Sequence, residues 1–405
     1  MPEAYLCDAV RTPFGRYAGS LSGVRADDLA ALPISALMAR HPEVDWAQLD
    51  DVIYGCANQA GEDNRNVARM AVLLAGLPVA VPATTVNRLC GSGLDAVTIA
   101  ARAIRAGEGD LLIAGGAESM SRAPFVLGKA DAAFSRHVHL ADTTLGWRFI
   151  NPLMQAAHGI DSMAQTAENV AREFAVSRVD QDAFACRSQA RYAQAQAQGF
   201  FAAERLILTK AALPGLADDL EADEPPRPLT TPEALERLRP VTGSDGSITA
   251  GNASPLNDGA AAVLLASASG MRRHGLRPRA RVVAASAAGV APRIMGMAPV
   301  PAVRAVLDRC GLRLADMDVI EINEAFAAQC LAVARELGLR DDEARLNANG
   351  GAIAIGHPLG ATGARLVATT LCRLEASGGR YGLCSLCIGV GQALALVIER
   401  VSVVP

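Results

Sequence analysis

The chain has few aromatic side chains and no surplus of positive charge. Aromatic residues occupy 4% of its 405 positions, and the formal net charge at pH 7 is -4. A nucleic-acid-binding surface needs clustered lysine and arginine, and the chain offers no such footprint. The composition therefore argues against a nucleic-acid partner and against an aromatic-lined binding module.

Long apolar runs and an export signal are missing as well. No uninterrupted apolar stretch reaches the length needed to cross a bilayer. Residues 1–4 lead into a strand-like run without the charged segment and apolar core of a secretion signal. The nine cysteines are odd in number and scattered, which favours reduced thiols over disulfides. We therefore expect a soluble, cytoplasmic protein with no membrane partner.

Small and apolar residues are abundant. Hydrophobic residues make up 51% of the chain, which also contains 37 glycines. Strand-like runs such as 4–10, 111–114, 280–287 and 381–386 alternate with alanine-rich helical runs. This alternation predicts a layered α/β architecture, and the length suggests two or three domains.

Cys90 lies where a strand-like run stops and a long alanine-rich stretch begins. Two of the three small residues that follow it, 91–93, are glycines, which would let a substrate approach the sulfur. A thiol at a helix N-terminus meets unpaired N–H groups and the positive end of the helix dipole, which favour the reactive thiolate. The alternative is an inert buried cysteine, the usual fate of this residue in a soluble protein.

Two more reactive side chains stand in glycine-rich segments near the far end of the chain. His357 lies within 349–365, and Cys387 begins the segment 387–392. Glycines in such numbers usually mark close approach of the backbone to a ligand, which a histidine that only packs in a core does not need. Three separated segments therefore supply two thiols and an imidazole for one candidate site.

A short repeat relates two of these segments. The tripeptide Asp-Val-Ile at 51–53 recurs at 318–320, 267 residues later, and His357 follows Cys90 by the same 267 residues. A duplicated fold would place the thiol and the imidazole at equivalent strand-to-helix turns, although a three-residue match is weak evidence by itself.

The motifs, and the order in which they occur, resemble those of the thiolase family over nearly the whole chain. The landmarks that carry the resemblance are the segments 87–93, 115–121, 251–254, 323–326, 349–365 and 387–392. The resemblance implies an α/β thiolase fold, with a duplicated five-layered α-β-α-β-α core and an inserted loop domain. It implies an N-terminal half at 1–120 completed by 242–272, a loop domain at 121–241, and a C-terminal half at 273–405.

The segment 121–241 departs from the strand-and-helix alternation. It contains acidic and proline-rich stretches and a helical run at 166–198. In relatives this region covers coenzyme A. The composition of 218–232 fits a disordered surface equally well.

Segments 58–69 and 142–149 resemble the subgroup that acts on 3-oxoadipyl-CoA in bacterial aromatic degradation, the beta-ketoadipate pathway. The resemblance implies an acyl-CoA C-acyltransferase that cleaves 3-oxoadipyl-CoA with coenzyme A to succinyl-CoA and acetyl-CoA. One alternative is a short-chain acetyl-CoA C-acetyltransferase with the same mechanism. A more remote one is a non-catalytic acyl-CoA-binding subunit, whose signature would be the loss of a catalytic residue.

The resemblance assigns a role to each motif residue. Cys90 would attack the β-ketone and carry the acyl group, and His357 would accept its proton. Cys387 would protonate the departing carbanion. Asn323, through a water, would join His357 in one oxyanion hole, and the backbone N–H groups of Cys90 and Gly389 would form the other. Asn323 also suits a helix N-cap.

The contacts to coenzyme A and to the acyl chain are also carried over from the family. The residues expected at the coenzyme are Ser254, Met163, Phe326 and, near the nucleotide end, Arg227. Departures from the family pattern that could alter coenzyme affinity occur at Thr242, Pro255 and Ala393.

The terminal carboxylate of a 3-oxoadipyl group needs a cationic or donor-rich partner if it is buried. Arg148, beside Trp147 in the subgroup-like segment, is our hypothesis for that partner. Arg136, His137 and His139 are the alternatives.

Cys384 and Cys387 have the spacing of a metal or redox pair, but the sequence contains no second such pair. We therefore expect no metal and no tightly bound cofactor, with coenzyme A acting as a substrate. The family resemblance implies a homotetramer, built as a dimer of dimers.

Overall fold

The computed structural model describes residues 2–130 and 132–401. Its strands are β1 (Tyr5–Arg11), β2 (Gly15–Arg16), β3 (Asp51–Gly55), β4 (Ala83–Val86), β5 (Leu111–Ser119), β6 (Phe125–Leu127), β7 (Leu140–Asp142), β8 (Asn257–Ala266), β9 (Ala280–Gly289), β10 (Val319–Ile322), β11 (Tyr381–Ile388) and β12 (Gln392–Arg400). Its helices are α1 (Ala26–Arg40), α2 (Val67–Leu74), α3 (Ser92–Ala106), α4 (Pro152–His158), α5 (Met163–Glu173), α6 (Arg178–Ala197), α7 (Pro232–Glu236), α8 (Ala268–His274), α9 (Pro299–Cys310), α10 (Ala327–Glu336), α11 (Ala352–Ile355) and α12 (Leu359–Ser377).

The main strands form two similar sheets that join along one edge. The N-terminal sheet has the order β4-β3-β5-β8-β1, and the C-terminal sheet continues it as β9-β12-β11-β10. The two are linked by the antiparallel pairs Tyr5 with Arg281 and Leu6 with Ala280. In each half a parallel pair, β3 with β5 or β10 with β11, is followed by an antiparallel one, β5 with β8 or β11 with β12. The halves are therefore duplicated in topology.

The counterpart of β4 in the C-terminal half is reduced to a single parallel bridge between Ile320 and Leu346. As a consequence, α3 begins soon after strand β4, whereas α12 begins after the one-turn helix α11. The predicted equivalence of Cys90 and His357 holds at the helix starts, because Ser92 and Leu359 are again 267 residues apart. The expectation of a strand before each turn is wrong for His357.

Alternation along the strands produces the predicted five layers. Leu112 and Ala114 on β5 face a central core that also contains the apolar sides of α3 and α12, whereas Leu111 and Ile113 face the outer helices α1 and α2. On the other side of the molecule, α9 and α10 cover the outer face of the C-terminal sheet. Since successive strand residues point to opposite faces, one strand serves both an inner and an outer layer.

Glycines let the two central helices approach each other at their N-termini. A Cβ atom added at Gly93 of α3 would lie 2.4 Å from the carbonyl oxygen of Gly360, and one at Gly363 would lie 2.0 Å from the backbone nitrogen of Leu94. At Gly91 an added Cβ would meet the side chain of Ile388 at 2.4 Å. These glycines therefore make room for neighbouring protein atoms, and the expectation that they clear a path for the substrate is wrong.

The segment between β5 and β8 folds against both halves. Arg11 of β1 is fully buried and donates hydrogen bonds to Glu204 at 2.6 Å and to Asp223 at 2.6 and 3.0 Å. On α6, Ser188 donates to Glu324 at 2.6 Å. Since Asp223 is itself buried, the stretch 218–232 is anchored rather than disordered. None of the helices in the described ranges is both long and apolar enough to span a membrane.

Candidate active site

A strained turn presents Cys90 between β4 and α3. The backbone of Leu89 adopts a left-handed φ of 47°, a conformation that costs a non-glycine residue about 1 kcal/mol or more. The Ser92 hydroxyl donates to the Leu89 carbonyl at 2.6 Å and accepts from the Arg88 N–H at 2.9 Å. These two hydrogen bonds hold the turn, and Cys90 precedes the first residue of α3 by two positions.

His357 occupies the matching place before α12. Its backbone N–H donates to Asn257 at 2.8 Å. The preceding residue, Gly356, has a φ of 110°, and a Cβ there would lie 2.6 Å from the Asn257 side chain. The imidazole is buried, with Nδ1 at 2.7 Å from the Thr362 hydroxyl and Nε2 at 3.4 Å from the Asn323 amide nitrogen. Both ring nitrogens therefore face polar partners.

The three reactive side chains meet in one cavity of about 440 Å³. Cys90, His357 and Cys387 all line it, together with Gly389. Cys387 comes from the end of β11, and it is almost completely buried. The convergence predicted from the sequence is thus present in the fold.

Burial controls the ionisation of this group. Desolvation raises the pKa of the Cys90 thiol to about 11, against a smaller opposing effect of hydrogen bonds from the backbone N–H groups of Gly389 and Cys90 itself. Desolvation lowers the pKa of His357 to about 3, and the nearby charge of Arg365 acts in the same direction. The pKa of Cys387 is also raised by burial and by the neighbouring Cys90.

These values make Cys90 a thiol and His357 a neutral imidazole at pH 7. This direction is opposite to the expected effect of the N-terminus of α3, because the loss of hydration outweighs the two backbone hydrogen bonds. Activation of the thiol therefore requires a base that takes its proton during the reaction, and among the described residues the only imidazole that lines the cavity is that of His357.

Most of the expected substrate contacts lie around the same cavity. Ser254, Met163, Phe326 and Arg148 line it. Arg227 does not, because it lies in a neighbouring cavity of about 530 Å³ with Ala253 and the shared Pro255. Arg136, His137 and His139 are exposed and line neither cavity.

Asn323 lies at the end of β10, where its side chain is fully buried and its Oδ1 atom has no hydrogen-bond partner within the described residues. It is not the N-cap of α10, since that helix begins at Ala327 with Phe326 as its cap residue. The prediction that Asn323 is a helix N-cap is therefore wrong, and its side-chain amide is available to hydrogen-bond with the imidazole.

Glu118 is a residue of the site that the sequence reasoning missed. Its buried carboxylate lines the cavity and accepts hydrogen bonds from the backbone N–H groups of Ala57, Asn58 and Gly360, each at 2.9 Å. Burial raises its pKa to about 7. The available signal was a lone acidic residue that directly follows the segment 111–117, which contains only apolar and small residues.

The spacing of Cys384 and Cys387 does not create a metal site. Residues three apart on a strand point to opposite faces, and Cys384 instead lies 3.1 Å from the Thr370 hydroxyl in the central core. Across 2–130 and 132–401, no three histidine, cysteine or acidic side chains are grouped so that they could hold a metal ion.

The two halves of the duplicated five-layered fold therefore meet at a cavity that holds two thiols and an imidazole. Models of the thiolase N-terminal and C-terminal domains match residues 4–269 and 276–400. The chain belongs to the thiolase family.

Full-length relatives extend this result. The chain is 62% identical over 401 residues to a beta-ketoadipyl-CoA thiolase of Acinetobacter baylyi, covering 99% of this chain and 100% of the relative. It is 60% identical to the 3-oxoadipyl-CoA/3-oxo-5,6-dehydrosuberyl-CoA thiolase of Escherichia coli, with the same coverage. The crystal structure of human mitochondrial 3-ketoacyl-CoA thiolase in complex with CoA matches with a TM-score of 0.91 at 38% identity, covering 99% of this chain and 98% of that one.

Proposed function

We propose that the protein cleaves 3-oxoadipyl-CoA with coenzyme A, giving succinyl-CoA and acetyl-CoA. The observation that carries this proposal is the convergence of Cys90, His357 and Cys387 on one cavity that also contains the cation of Arg148. The substrate named for the relatives at 60 and 62% identity supports the same choice of acyl chain.

In the first half-reaction, the Cys90 sulfur attacks the β-ketone while its proton passes to His357. The resulting alkoxide collapses, the bond between the α and β carbons breaks, and the succinyl group stays on Cys90 as a thioester. Cys387 gives its proton to the carbanion, which leaves as acetyl-CoA. Because burial raises the pKa of Cys387, this thiol holds its proton until the carbanion forms.

In the second half-reaction, the thiol of coenzyme A gives its proton to the Cys387 thiolate and attacks the Cys90 thioester. Succinyl-CoA leaves, and the Cys90 sulfur recovers its proton from His357. The protons and the acyl group balance over the cycle, so coenzyme A acts as a substrate and no tightly bound cofactor is needed.

Two sets of donors serve the oxygen atoms that gain charge. The N–H groups of Cys90 and Gly389, which already point at the sulfur, would donate hydrogen bonds to the oxyanion on the carbon that the sulfur attacks. His357, supported by Asn323 at 3.4 Å, would face the thioester oxygen of the enolate. Loss of one such donor typically costs 100- to 1,000-fold in turnover, roughly 3 to 4 kcal/mol.

Arg148 is the proposed partner of the distal carboxylate. It lines the cavity, and its side chain makes no hydrogen bond or ion pair with any other described residue. A guanidinium without a partner beside a largely apolar cavity favours a substrate with a negative charge at its far end. The Arg148 cation therefore favours 3-oxoadipyl-CoA over acetoacetyl-CoA, because acetoacetyl-CoA has no negative charge at its far end. Acetoacetyl-CoA is the substrate of the short-chain alternative.

Kinetics of Arg148→Met on both substrates test this assignment. We expect kcat/KM for 3-oxoadipyl-CoA to fall about 30-fold or more, with less than about a threefold change for acetoacetyl-CoA, because only the first loses an ion pair. Arg136→Met is the matched control, since it removes an exposed arginine outside the cavity. Equal losses on the two substrates would contradict the carboxylate role.

The remaining properties complete the proposal. Ser254, Met163 and Phe326 would contact the pantetheine arm, and Arg227 would lie near the nucleotide end from its neighbouring cavity. The functional units would be 1–120 with 242–272, the loop domain 121–241, and 273–405.

A cytoplasmic location is supported by the cysteines, all nine of which are unpaired. A homotetramer, the state that the family resemblance implies, needs contact surfaces, and the exposed apolar side chains of Phe125, Leu127 and Leu140 on the antiparallel strands β6 and β7 would provide one. Light scattering of the purified protein would measure the number of subunits directly.

A further inference from the structure

The hydroxyl of Thr362 makes two hydrogen bonds whose directions are fixed. Its Oγ1 atom lies 2.9 Å from the Pro358 carbonyl oxygen and 2.7 Å from Nδ1 of His357. A carbonyl can only accept, so the hydroxyl hydrogen points to Pro358. The oxygen must then accept from the imidazole, which places a hydrogen on Nδ1 of His357.

The other side of the ring agrees with this assignment. Nε2 of His357 lies 3.4 Å from the amide nitrogen of Asn323, which can only donate. A neutral imidazole with its hydrogen on Nδ1 carries a lone pair on Nε2, ready for that donor. The two neighbours therefore select one tautomer of the ring.

We propose that Thr362 is a positioning residue that holds His357 in the Nδ1–H tautomer, so that Nε2 faces the reacting thiol as the base. Thr362 is completely buried on the first turn of α12, so the orienting group lies on the helix that directly follows the base. The base role rests on the proposed function, whereas the tautomer stands on these hydrogen bonds alone.

The chemistry of the orienting group matters as much as its position. A carboxylate at this place would stabilise the imidazolium, as the acidic member of a Ser-His-Asp triad does. A hydroxyl orients the ring without adding negative charge. His357 is thus held in the correct tautomer yet stays neutral until Cys90 gives up its proton, in keeping with its lowered pKa.

The test compares Thr362→Val, which keeps the shape and removes the hydroxyl, with Thr362→Ser, which keeps the hydroxyl. Thr98→Val is the matched control, because Thr98 is buried on α3 and its hydroxyl donates to the Leu94 carbonyl four residues earlier at 2.9 Å, with no imidazole attached. Nitrogen-15 NMR of histidine-labelled protein reports the tautomer, and the His357 signals are assigned by their loss in His357→Asn.

We expect wild-type His357 to show a protonated Nδ1 and an unprotonated Nε2. Thr362→Val should mix the tautomers and lower kcat about 10- to 100-fold with little change in KM. Thr362→Ser should restore the wild-type spectrum and kcat to within about threefold. Thr98→Val should lower the melting temperature like Thr362→Val while keeping kcat.

A proton on Nε2 in the wild-type spectrum would overturn the proposal, as would a Thr362→Val enzyme with unchanged spectrum and kcat. Full turnover by His357→Asn would instead overturn the base role in the proposed function. The NMR measurement does not depend on activity, so the two failures are distinguishable.

Discussion

The starts of α3 and α12 occupy equivalent places in the two halves but present different chemistry. Two positions before each helix stands a reactive side chain, the thiol of Cys90 in one half and the imidazole of His357 in the other. Five positions after each reactive residue lies a second counterpart pair, Asp95 and Thr362. Asp95 accepts from Arg88 at 2.7 Å, whereas Thr362 accepts from the imidazole at 2.7 Å.

The difference shows how a duplicated scaffold builds a site that neither half holds alone. Each half supplies a helix N-terminus, and the glycine contact between α3 and α12 brings the two together. The nucleophile sits in a strained turn held by the Ser92 hydroxyl, and the base is oriented by a neutral group. Both stay uncharged at rest because burial disfavours their charged forms.

Removing the nucleophile should have the largest effect. Cys90→Ser keeps the size of the side chain but replaces the thiol with a much poorer nucleophile, and we expect kcat to fall at least about 1,000-fold, roughly 4 kcal/mol of barrier. Cys186→Ser is the control, since this cysteine on α6 lies outside the cavity. Thiolysis assays and acyl-enzyme trapping measure the outcome, and full turnover by Cys90→Ser would end the proposed mechanism.

Disturbing the contact between the N-termini of α3 and α12 should have the next largest effect. Gly93→Ala would gain up to about 1 kcal/mol of helix propensity. The new Cβ, however, would lie 2.4 Å from a backbone carbonyl of α12, which cannot move away cheaply. We expect a net loss of about 3 kcal/mol in the free energy of unfolding, with a drop in kcat as the helix starts separate.

Gly289→Ala is the control for this substitution, because the nearest atom to its added Cβ is 3.7 Å away. Denaturant unfolding with thiolysis assays on both variants would decide the matter. Equal stability of Gly93→Ala and Gly289→Ala would show that the two helix starts are not held by this contact.

Much of this arrangement could be predicted from the sequence, because it depends on order and spacing. The 267-residue offset places Cys90 and His357 at matching helix starts, and the strands 4–10, 111–114, 280–287 and 381–386 fall within or next to observed ones. The family motifs also gave the three reactive residues that line the cavity.

The features that could not be predicted from the sequence depend on the three-dimensional surroundings of particular residues. The pKa of Cys90 is raised by the protein atoms that surround this partly buried side chain, and no local motif reveals these surroundings. The packing role of Gly93 could not be predicted either, because its neighbour Gly360 is distant along the chain. Glu118 escaped notice because its partners are backbone N–H groups, which any residue can supply.

Glu118 joins the start of α12 to the residues that follow β3, and its ionisation should appear in the pH dependence of stability. Burial raises its pKa from 4.5 to about 7. The folded state therefore binds the proton more tightly, so this contribution to stability is fully present below pH 4.5 and is lost as pH rises through about 7. We expect a loss of roughly 2 to 3 kcal/mol over that interval that is absent in Glu118→Gln.

Unfolding measured between pH 4.5 and 7.5 on both proteins tests this prediction. Glu62→Gln is the control, since hydrogen bonding to Arg122 lowers the pKa of Glu62 from 4.5, so its contribution to stability is lost only at lower pH and stays constant over this interval. A Glu118→Gln curve parallel to that of the wild type would show that this carboxylate does not titrate in the interval.

The smallest effect should come from Asp95, the counterpart of Thr362. Asp95→Asn weakens a partly exposed ion pair, but the amide oxygen still accepts from Arg88, which also donates to Gln392 at 3.2 Å. We expect a loss of about 1 kcal/mol in stability and less than a threefold change in kcat, because Asp95 orients no reacting group. If Asp95→Asn lowered kcat as much as Thr362→Val, both helix starts would position their reactive residues through the fifth residue, and the contrast between the halves would disappear.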